Sequence, residues 1–409
     1  MLILQINTVD TRGGAAQVAC GLKKELERRG HQSPIFVGRK YSNDSDILIL
    51  NDMLSFFGKV RRKLAYWLAN DMDVFSSDHI LKTEQFKKAD IIHCHNLHSN
   101  YFNLATLKKM ARLKPVIWTF HDMWPITSHC GHAFNGKIKN SGFFACPSLD
   151  IPPAIAWHNE KYLENKKSKI YMNSNFHIVT PSKWLADKVS QSILKNKPLS
   201  IIYNGIDTNI FKPLRPDLNK LRSGLNLPLD KRIILVVAKG GASNPWKGGN
   251  YAQEVIKAFK SDSRTFFVDL GGDISKNNTR LKAVNYVTDQ STLAKYYSAA
   301  DMLLYPSIAD NCPMVVLEAM ACGLPIVSFN TGGIPELVEH KINGYIAEYK
   351  NADDLNIGVE YLLNLTPQET EKMRQHSIDK IKNGFTLEKM ADPYLNLYKK
   401  EIKNFNLFK

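Results

Sequence analysis

Short apolar segments alternate with helix-period segments along the whole chain, and this alternation restricts the fold more than any other feature. The apolar segments are rich in Val, Ile and Leu, as expected of buried strands. Strands that are largely apolar and joined by helices form parallel sheets that helices cover on both faces. The pattern therefore predicts an α/β protein. The predicted strands are 2–6, 34–37, 47–50, 90–94, 115–120, 177–180, 200–203, 232–238, 265–270, 284–287, 302–305, 325–328 and 344–347.

The length of the chain sets how many sheets to expect. With 409 residues, two globular units are favoured over one. A turn-forming pair, Asn204-Gly205, ends the last strand of the first half. We therefore predict a doubly wound domain over 1–205, a second over 206–385, and a terminal helix over 386–409 that crosses back onto the first. Ligands of open parallel sheets bind beyond the carboxyl ends of the strands, so function is expected in the loops that follow strands.

The net charge of +15 is concentrated in the first half of the chain. Residues 1–205 hold 28 basic and 16 acidic residues, whereas residues 206–409 hold 26 and 23. Such a bias attracts anionic partners, which include nucleic acid, anionic lipid and phosphorylated substrates. No groove-reading motif is present, so nucleic acid is not the expected partner.

Cysteine usage and hydropathy predict a cytoplasmic protein. The first residues carry no basic leader, and their apolar run ends at Gln5. The longest later apolar run, 233–238, is far shorter than the roughly 20 residues that cross a bilayer. Six cysteines in so long a chain are expected to be reduced thiols rather than disulfides.

Residues 53–70 combine an apolar stripe with several cations. The stripe has helical spacing, and the basic residues lie largely off it. This composition is typical of a helix that lies on an anionic membrane surface. The same stripe could instead pack on the sheet as a core helix. The positive charge of the first half favours the membrane surface. The stripe consists of Phe57, Val60, Leu64, Trp67 and Leu68, and the cations are Lys59, Arg62 and Lys63.

A glycine pair, Gly13-Gly14, follows the first strand and precedes a helix. Glycines let the backbone approach a ligand closely, and the amino end of a helix offers free N–H groups to a phosphate. The spacing is not G-x-G-x-x-G, which argues against a nicotinamide or flavin site. An ordinary tight turn explains the pair equally well.

The segment from Tyr305 to Glu336 contains the most informative residues of the second half. A predicted strand ends at Tyr305, the following loop carries Asp310 and Asn311, and a helix follows Pro313. Glu318 lies in that helix among apolar neighbours, where an unpaired carboxylate would be costly. A carboxylate in such a place usually has donors to bind, and the hydroxyls of a ligand are good candidates.

This segment resembles the acidic-x7-Glu signature of the retaining family-4 glycosyltransferases, which have the GT-B architecture. Asp310 stands where that family usually has its first Glu, and the similarity runs through both halves of the chain in the family's order. The similar residues are Ser307, Leu317-Glu318-Ala319-Met320-Ala321-Cys322-Gly323, Pro325, Pro181-Ser182-Lys183-Trp184-Leu185, Asn204-Gly205-Ile206-Asp207, Tyr297-Ser298-Ala299-Ala300-Asp301, Gly332-Gly333-Ile334-Pro335-Glu336 and Asn343-Gly344.

The resemblance implies two Rossmann-like domains that face an inter-domain cleft, with acceptor binding by 1–205 and nucleotide-sugar binding by 206–385. It places Glu318 on the ribose and Asp310 and Asn311 beside the transferred sugar. An ionised carboxylate accepts charge-assisted hydrogen bonds from hydroxyls, which agrees with both roles. Base contacts are expected near Tyr286.

The resemblance also implies lysines that bind the diphosphate and a histidine beside the sugar. Lys247 matches the family's lysine, and Lys239 stands approximately where the family has an arginine. The Gly13-Gly14 loop joins the diphosphate site. On the acceptor side, the resemblance places His121 against the transferred sugar. The remaining expected acceptor-side residues are His95 and His98.

Histidines and cysteines of the first half leave a metal site as an alternative. His, Cys and carboxylate side chains are the usual zinc ligands, but the spacings here match no standard zinc motif. The resemblance implies transfer without a catalytic metal, so no cofactor is expected. The residues in question are His93, His95, His98, His129, Cys130, His132 and Cys146.

The resemblance, together with these features, implies a retaining glycosyltransferase. It would move a sugar from a nucleoside diphosphate, most simply a UDP-sugar, to a hydroxyl of a glycan or a lipid-linked acceptor in bacterial cell-surface polysaccharide or lipopolysaccharide synthesis. A nucleotide-sugar epimerase of the same architecture is the alternative enzyme. A basic nucleic-acid-binding protein is the alternative from another class.

Overall fold

The computed structural model of the chain describes residues 1–134, 136–214, 217–238 and 240–407. The chain divides into two compact units. Unit 1 contains Met1–Tyr203 together with Met390–Lys409, and unit 2 contains Asn204–Lys389. Each unit is built on its own parallel sheet, so the predicted α/β class with two doubly wound sheets is confirmed.

Unit 1 is a parallel sheet with helices in the crossover connections. Its strands are β1 (Ile3–Val9), β2 (Ile35–Arg39), β3 (Ile47–Ile49), β4 (Ile91–Cys94), β5 (Val116–Thr119), β6 (His177–Thr180) and β7 (Leu199–Ile201). Among the described residues the order across this sheet is β3-β2-β1-β4-β5-β6-β7. All neighbours are parallel, so every strand carboxyl end lies at one edge.

Helices lie in the connections between the strands of this sheet. They are α1 (Gly14–Arg28), α2 (Phe56–Trp67), α3 (Glu84–Lys88), α4 (Ala105–Leu113), α5 (Glu160–Met172) and α6 (Lys183–Gln191). The Oγ of Ser182 accepts a hydrogen bond from Leu185 N at 3.1 Å and so caps α6. The core beneath the helices includes Ile92, Trp118 and Ile178 from the central strands.

Unit 2 repeats this architecture. Its strands are β8 (Arg232–Val237), β9 (Thr265–Leu270), β10 (Leu281–Val284), β11 (Met302–Tyr305), β12 (Ile326–Phe329) and β13 (Gly344–Ala347). Within the described part of the chain their order is β10-β9-β8-β11-β12-β13, again with parallel neighbours. The prediction of a strand over 284–287 is wrong by three residues, because β10 lies at the sheet edge and has only Ala283 fully buried.

The helices of unit 2 lie between its strands and after the last one. They are α7 (Leu218–Gly224), α8 (Gly249–Ala258), α9 (Gln290–Ala299), α10 (Met314–Ala321), α11 (Ile334–Leu337), α12 (Ala352–Leu363) and α13 (Pro367–Gly384). Thr366 and Glu369 form a reciprocal capping box at the start of α13.

The last helix, α14 (Leu387–Leu407), contributes its residues from Met390 onward to unit 1. Two of its tyrosines are buried and hydrogen-bonded to strand residues. Tyr398 OH lies 2.7 Å from His93 Nδ1, and Tyr394 OH lies 2.8 Å from Thr119 Oγ1. Polar contacts therefore anchor the helix to β4 and β5.

One expectation from the sequence, that of reduced cysteines, changes. Cys130 and Cys146 form a disulfide with a Cα–Cα distance of 5.9 Å, so the prediction that all six cysteines are reduced thiols is wrong. The loop between them folds back and brings the two sulfurs together, which the spacing alone did not indicate. Among the described helices, none combines the length and the hydropathy that crossing a bilayer requires.

Candidate active site

The carboxylate of Asp310 collects three donors in the loop that follows β11. Its Oδ2 accepts hydrogen bonds from Lys247 Nζ at 2.7 Å, Tyr305 OH at 2.6 Å and Ser307 Oγ at 2.7 Å. In the part of the chain that the structure describes, Oδ1 of the same carboxylate takes no hydrogen bond. Since the side chain is partly exposed, Oδ1 can accept from a bound hydroxyl.

Two glycines allow neighbouring loops to reach Asp310. A Cβ at Gly248 would lie 1.7 Å from Pro306 O, and a Cβ at Gly332 would lie 1.6 Å from Asp310 O. Both residues also have positive φ, 70° and 56°, which side chains disfavour. The loops after β8, β11 and β12 therefore meet at one point at the carboxyl edge of the sheet, because no side chain separates their backbones.

Lys247 is held in place by the loop that follows β8. A short 3-10 helix, Pro245–Lys247, ends at Gly248, and Asn244 Oδ1 accepts from the backbone N–H of Trp246 and of Lys247. This cap directs the ammonium to Asp310 rather than into solvent. Lys239, the other predicted diphosphate ligand, lies outside the described residues.

Asp269, which was not predicted as a site residue, fixes the loop after β8 through its carboxylate. Both of its oxygens lie 3.1 Å from Ala242 N, and a Cβ at Gly241 or Gly272 would overlap its carboxylate. Burial raises the pKa of Asp269, and the bond from Ala242 partly offsets that rise. The sequence feature that could have indicated this role is a carboxylate near the end of a predicted strand, just before the pair Gly271-Gly272.

Glu318 is 2% exposed in α10, and it has a donor within the protein. Tyr297 OH donates to Glu318 Oε2 at 2.8 Å. Burial, and then the Glu318 carboxylate, raise the pKa of Tyr297 well above its usual range. Burial of Glu318 therefore does not by itself require ligand hydroxyls, which corrects that step of the sequence argument.

Tyr305 links the two predicted ligand carboxylates. Burial raises the pKa of Tyr305 well above its usual value, and the charges of Asp310 and Glu318 raise it further. The three groups therefore belong to one cluster of unit 2. Lys247 Nζ lies 5.9 Å from the centre of the Tyr305 ring and supplies the positive charge of the cluster.

The other residues predicted on the donor side lie in flanking positions. Asn311 is buried directly after Asp310, and Asn204 Nδ2 donates to Cys312 O at 3.1 Å, which fixes this part of the loop. Tyr286 is about half exposed in the loop that follows β10.

In unit 1, Gly13 and Gly14 form the start of α1. Gly13 has φ 92° as the N-cap residue, and the space beside its backbone is open. Asp10, at the carboxyl end of β1, accepts from the backbone N–H groups of Tyr41 and Ser42 and holds the neighbouring loop. The amino end of a fifteen-residue helix thus follows the strand edge, as the phosphate interpretation requires.

The histidines after β4 and β5 form a buried chain. Gln5 Nε2 donates to Ser33 Oγ at 2.8 Å, so its Oε1 is the acceptor for His95 Nε2, also 2.8 Å away. Neutral His95 then accepts through Nδ1 from His121 Nε2 at 2.9 Å. A neutral His121 therefore carries its lone pair on Nδ1.

Burial keeps these imidazoles neutral. It lowers the pKa of His121 to about 4 and of His93 to about 3, and it holds that of His95 well below the usual value. His95 is fully buried with both ring nitrogens bonded, so it orients His121 rather than contacting an acceptor as the sequence predicted.

His98 is partly exposed and belongs to a second chain. Its Nε2 lies 2.9 Å from Asp122 Oδ2, and its Nδ1 lies 2.7 Å from Ser99 Oγ. Ser99 has φ 78°, a left-handed conformation that non-glycine residues seldom adopt. Both ring nitrogens therefore have partners within the protein, and the Asp122 carboxylate fixes the orientation of the partly exposed ring.

Several of the side chains proposed as metal ligands make other contacts instead. Cys130 and Cys146 are joined in the disulfide, and His93 is bonded to Tyr398 and Thr119. Among the described residues, no group of three or more His, Cys, Asp or Glu side chains is arranged to hold a metal ion.

Two family models match the chain, one over each half. The model described as Glycosyltransferase Family 4 matches residues 12–210, and the model described as Glycosyl transferases group 1 matches residues 219–382. The two matches together cover most of both units. The chain belongs to the family 4 and group 1 glycosyltransferases.

Relatives and solved structures agree with this assignment. The glycosyltransferase is 21% identical over 407 residues to N-acetyl-alpha-D-glucosaminyl L-malate synthase of Bacillus anthracis, covering 94% of this chain and 93% of that protein. It is 23% identical over 357 residues to the putative colanic acid biosynthesis glycosyl transferase WcaC of Escherichia coli, covering 83% and 85%. The structure of Anabaena HepE in complex with UDP has the same fold, with a TM-score of 0.67, 15% identity, and coverage of 98% and 100%. The fold is GT-B, with two Rossmann-like domains.

The candidate site residues of this glycosyltransferase lie in both family matches. Lys247, Asp310 and Glu318 lie within the group 1 match, and His98 and His121 lie within the family 4 match. Tyr305, Gln5 and Asp122 were not assigned roles from the sequence. The contacts of Gln5 and Asp122 join segments far apart in the chain, so periodicity could not reveal them, whereas Tyr305 contacts Asp310 five residues later.

Proposed function

We propose that this glycosyltransferase moves a sugar from a nucleoside diphosphate, a UDP-sugar, to a hydroxyl of a glycan or lipid-linked acceptor with retention of anomeric configuration. The reaction would serve bacterial cell-surface polysaccharide synthesis. The E. coli relative is named for colanic acid biosynthesis, which supports that setting. HepE binds UDP and UDP-glucose, which supports the choice of base.

The observation that carries this proposal is the pair formed by Lys247 and Asp310. A cation bonded to one carboxylate oxygen stands beside an oxygen that takes no hydrogen bond among the described residues. A nucleotide-sugar presents an anion and vicinal hydroxyls within a few ångströms, so the pair matches both groups. The diphosphate binds Lys247, and a sugar hydroxyl donates to Asp310 Oδ1.

The chemistry then requires charge stabilisation rather than an enzyme nucleophile. The bond between the anomeric carbon and the diphosphate oxygen breaks, and its electron pair leaves with the nucleoside diphosphate. Lys247 neutralises the developing charge. The acceptor oxygen bonds to the anomeric carbon on the same face, and its proton passes to the departing phosphate oxygen. Because Lys247 supplies the positive charge, we propose that no metal or cofactor takes part.

The nucleoside is held by other groups of the same unit. Glu318 binds the ribose hydroxyls through the oxygen edge that Tyr297 orients. Tyr286, half exposed beyond β10, covers the base. Asn311 contributes beside the sugar. The further group that we propose for the diphosphate, the α1 amino end at Gly13-Gly14, belongs to unit 1.

Unit 1 supplies the groups for the sugar and the acceptor. His121, whose tautomer and orientation His95 fixes, lies beside the transferred sugar. His98, oriented by Asp122, lines the acceptor side with its partly exposed ring.

A donor panel followed by product analysis tests the proposal. The purified protein is screened by thermal shift with UDP-, GDP- and ADP-sugars, where a donor at a hundred times its dissociation constant stabilises by about 2.7 kcal/mol. The stabilising donor is then incubated with polysaccharide and lipid-linked acceptors, with and without EDTA, and the anomeric configuration of the product is read by NMR. Retention, with EDTA having no effect, is expected. An inverted product, or an epimerised donor without transfer, contradicts the proposal.

A further inference from the structure

Helix α2 presents its apolar side to solvent, which is the reverse of an ordinary surface helix. Phe56 is 75% exposed and Trp67 is 62% exposed, and their apolar neighbours on the helix are also exposed. Of the twelve residues of α2, all described, Gly58 and Ala65 are the buried ones. Monomeric soluble proteins seldom expose a contiguous apolar surface of this kind, so it calls for a partner.

The exposed side chains form one band along the helix. At about 100° per residue, Phe56, Val60 and Trp67 fall within roughly 40° of each other, and Leu64 and Phe57 extend the band to about 100°. Lys59 and Lys63 follow along one edge of the band. Arg61 lies along the other edge, with its guanidinium 5.1 Å from the centre of the Phe75 ring.

Basic side chains border the band on both sides. Residues 53–70 include four basic side chains and no Asp or Glu. Within the described part of the chain, none of these four forms an ion pair. A surface that combines an apolar strip with unpaired cations complements a layer whose head groups are anionic and whose interior is apolar.

The outward orientation is fixed by the packing of the backbone. Ser55 Oγ accepts from Gly58 N at 3.1 Å and caps the helix. A Cβ at Gly58 would lie 2.1 Å from Asp52 O, so the helix rests on the preceding segment at this glycine. Trp157 Nε1 donates to Trp67 O at 2.9 Å and anchors the other end. The helix is therefore held firmly while its large side chains point away from the core.

We propose that α2, with the flanking Leu54 and Leu68, docks unit 1 on a lipid bilayer that contains anionic lipids. The helix lies flat, since twelve residues span about 18 Å and cannot cross the hydrocarbon layer. Tyr66 and Trp67 suit the head-group region, because their rings have an apolar body and a polar edge. Pairing of two copies through this face would bring the cations of both helices together, so charge favours lipid over a second copy.

This inference is independent of the donor sugar and is tested without it. The full-length protein is sedimented with vesicles of phosphatidylcholine alone and with vesicles that contain 30% phosphatidylglycerol. Strong binding to the anionic vesicles alone, weakened by salt, is expected. Equal binding to both kinds of vesicle, or binding to neither, overturns the proposal.

Two pairs of variants separate the two parts of the surface. Removing the cations with Lys59→Gln and Lys63→Gln should weaken binding about fivefold for each lysine. Removing the apolar anchors with Phe56→Ser and Trp67→Ser should weaken it by at least about tenfold. The matched controls are Lys389→Gln with Lys400→Gln, and Met172→Ser with Ile357→Ser, which change equally exposed side chains elsewhere.

Two further measurements keep the result decisive. Circular dichroism must give wild-type melting for each variant, since these side chains are exposed in the folded protein. Brominated lipids should quench tryptophan fluorescence in the wild type, and Trp67→Phe should remove much of that quenching. If gel filtration instead finds a dimer that Trp67→Ser dissociates, the surface joins two copies and the proposal fails.

Discussion

The ammonium of Lys247 lies 2.7 Å from Oδ2 of Asp310, and this ion pair joins the loop after β8 to the loop after β11. Both side chains are partly exposed, so the pair is open to a ligand while it orders the two loops. The same carboxylate is also bonded by Tyr305 and Ser307. The proposed donor site is therefore preorganised by contacts within the protein.

Replacing Lys247 with Gln should weaken binding of UDP. A hydrogen bond to a charged group contributes about 1.5–3 kcal/mol, so the dissociation constant should rise roughly tenfold to a hundredfold. Isothermal titration with UDP measures the change. Lys257→Gln, on the exposed face of α8, is the matched control. An unchanged affinity in the Lys247 variant would show that the ammonium does not reach the diphosphate.

Substituting Gly248 with Ala should remove donor binding. The added methyl would overlap Pro306 O, which lies 1.7 Å from its position, so the loop that carries Asp310 must shift. The expected result is loss of the thermal shift given by the donor. Gly384→Ala is the control, since a Cβ there meets nothing within 4 Å. Equal donor binding by both variants would count against close approach of the loops.

Tyr297→Phe should destabilise unit 2. The substitution removes the hydroxyl that donates to Glu318 Oε2 and leaves a buried carboxylate with one donor fewer. The expected loss is about 1–3 kcal/mol in the free energy of unfolding, measured with urea. Tyr296→Phe, one residue earlier in α9, is the control because no hydrogen bond to its hydroxyl is found among the described residues. Equal losses in the two variants would refute the role of the Tyr297 hydroxyl.

The buried histidines should make unit 1 less stable in acid. The pKa of His121 is lowered to about 4, against about 6.5 in an unfolded chain, so the unfolded state binds the proton first as the pH falls. The stability that neutral His121 contributes is complete above pH 6.5 and is lost as the pH drops toward 4. Each such histidine adds a slope of up to about 1.4 kcal/mol per pH unit in this window.

Urea unfolding, followed by tryptophan fluorescence between pH 4 and pH 7, measures this slope. His121→Asn should reduce the slope of unfolding free energy against pH by the contribution of one proton. His376→Asn, on an exposed face of α13, should leave the slope unchanged. A slope that stays the same without His121 would mean that this imidazole is protonated in the folded protein.

Much of the fold was predictable because strands and helices leave local patterns. The strands at 177–180, 265–270, 302–305 and 344–347 were predicted to the residue, since each is apolar and ends at a turn. The edge strand β10 was predicted to begin three residues too late. Its partly exposed side chains include Lys282, which interrupts the apolar pattern that identifies a strand.

The candidate site was predictable only in part. The acidic residues at 310 and 318 stand in a motif, so their neighbourhood followed from the resemblance. The burial of His95 and the Cys130–Cys146 disulfide depend on which segments meet in space, and spacing along the chain does not encode that. Likewise, the apolar stripe of α2 was visible in the sequence, but periodicity could not tell whether it faced the sheet or the solvent.

The most direct test of the donor site compares a nucleotide-sugar with its nucleoside diphosphate on Asp310→Asn. The UDP-sugar selected by the thermal-shift panel and UDP itself are titrated into the wild type, this variant, and the control Asp353→Asn, which lies in the exposed first turn of α12. In Asp310→Asn, the UDP-sugar should no longer bind more tightly than UDP. UDP itself should bind at least as well as to the wild type, because Lys247 is released from its ion pair. If the variant weakens both ligands equally, or neither, Asp310 does not hold the sugar and the account is contradicted.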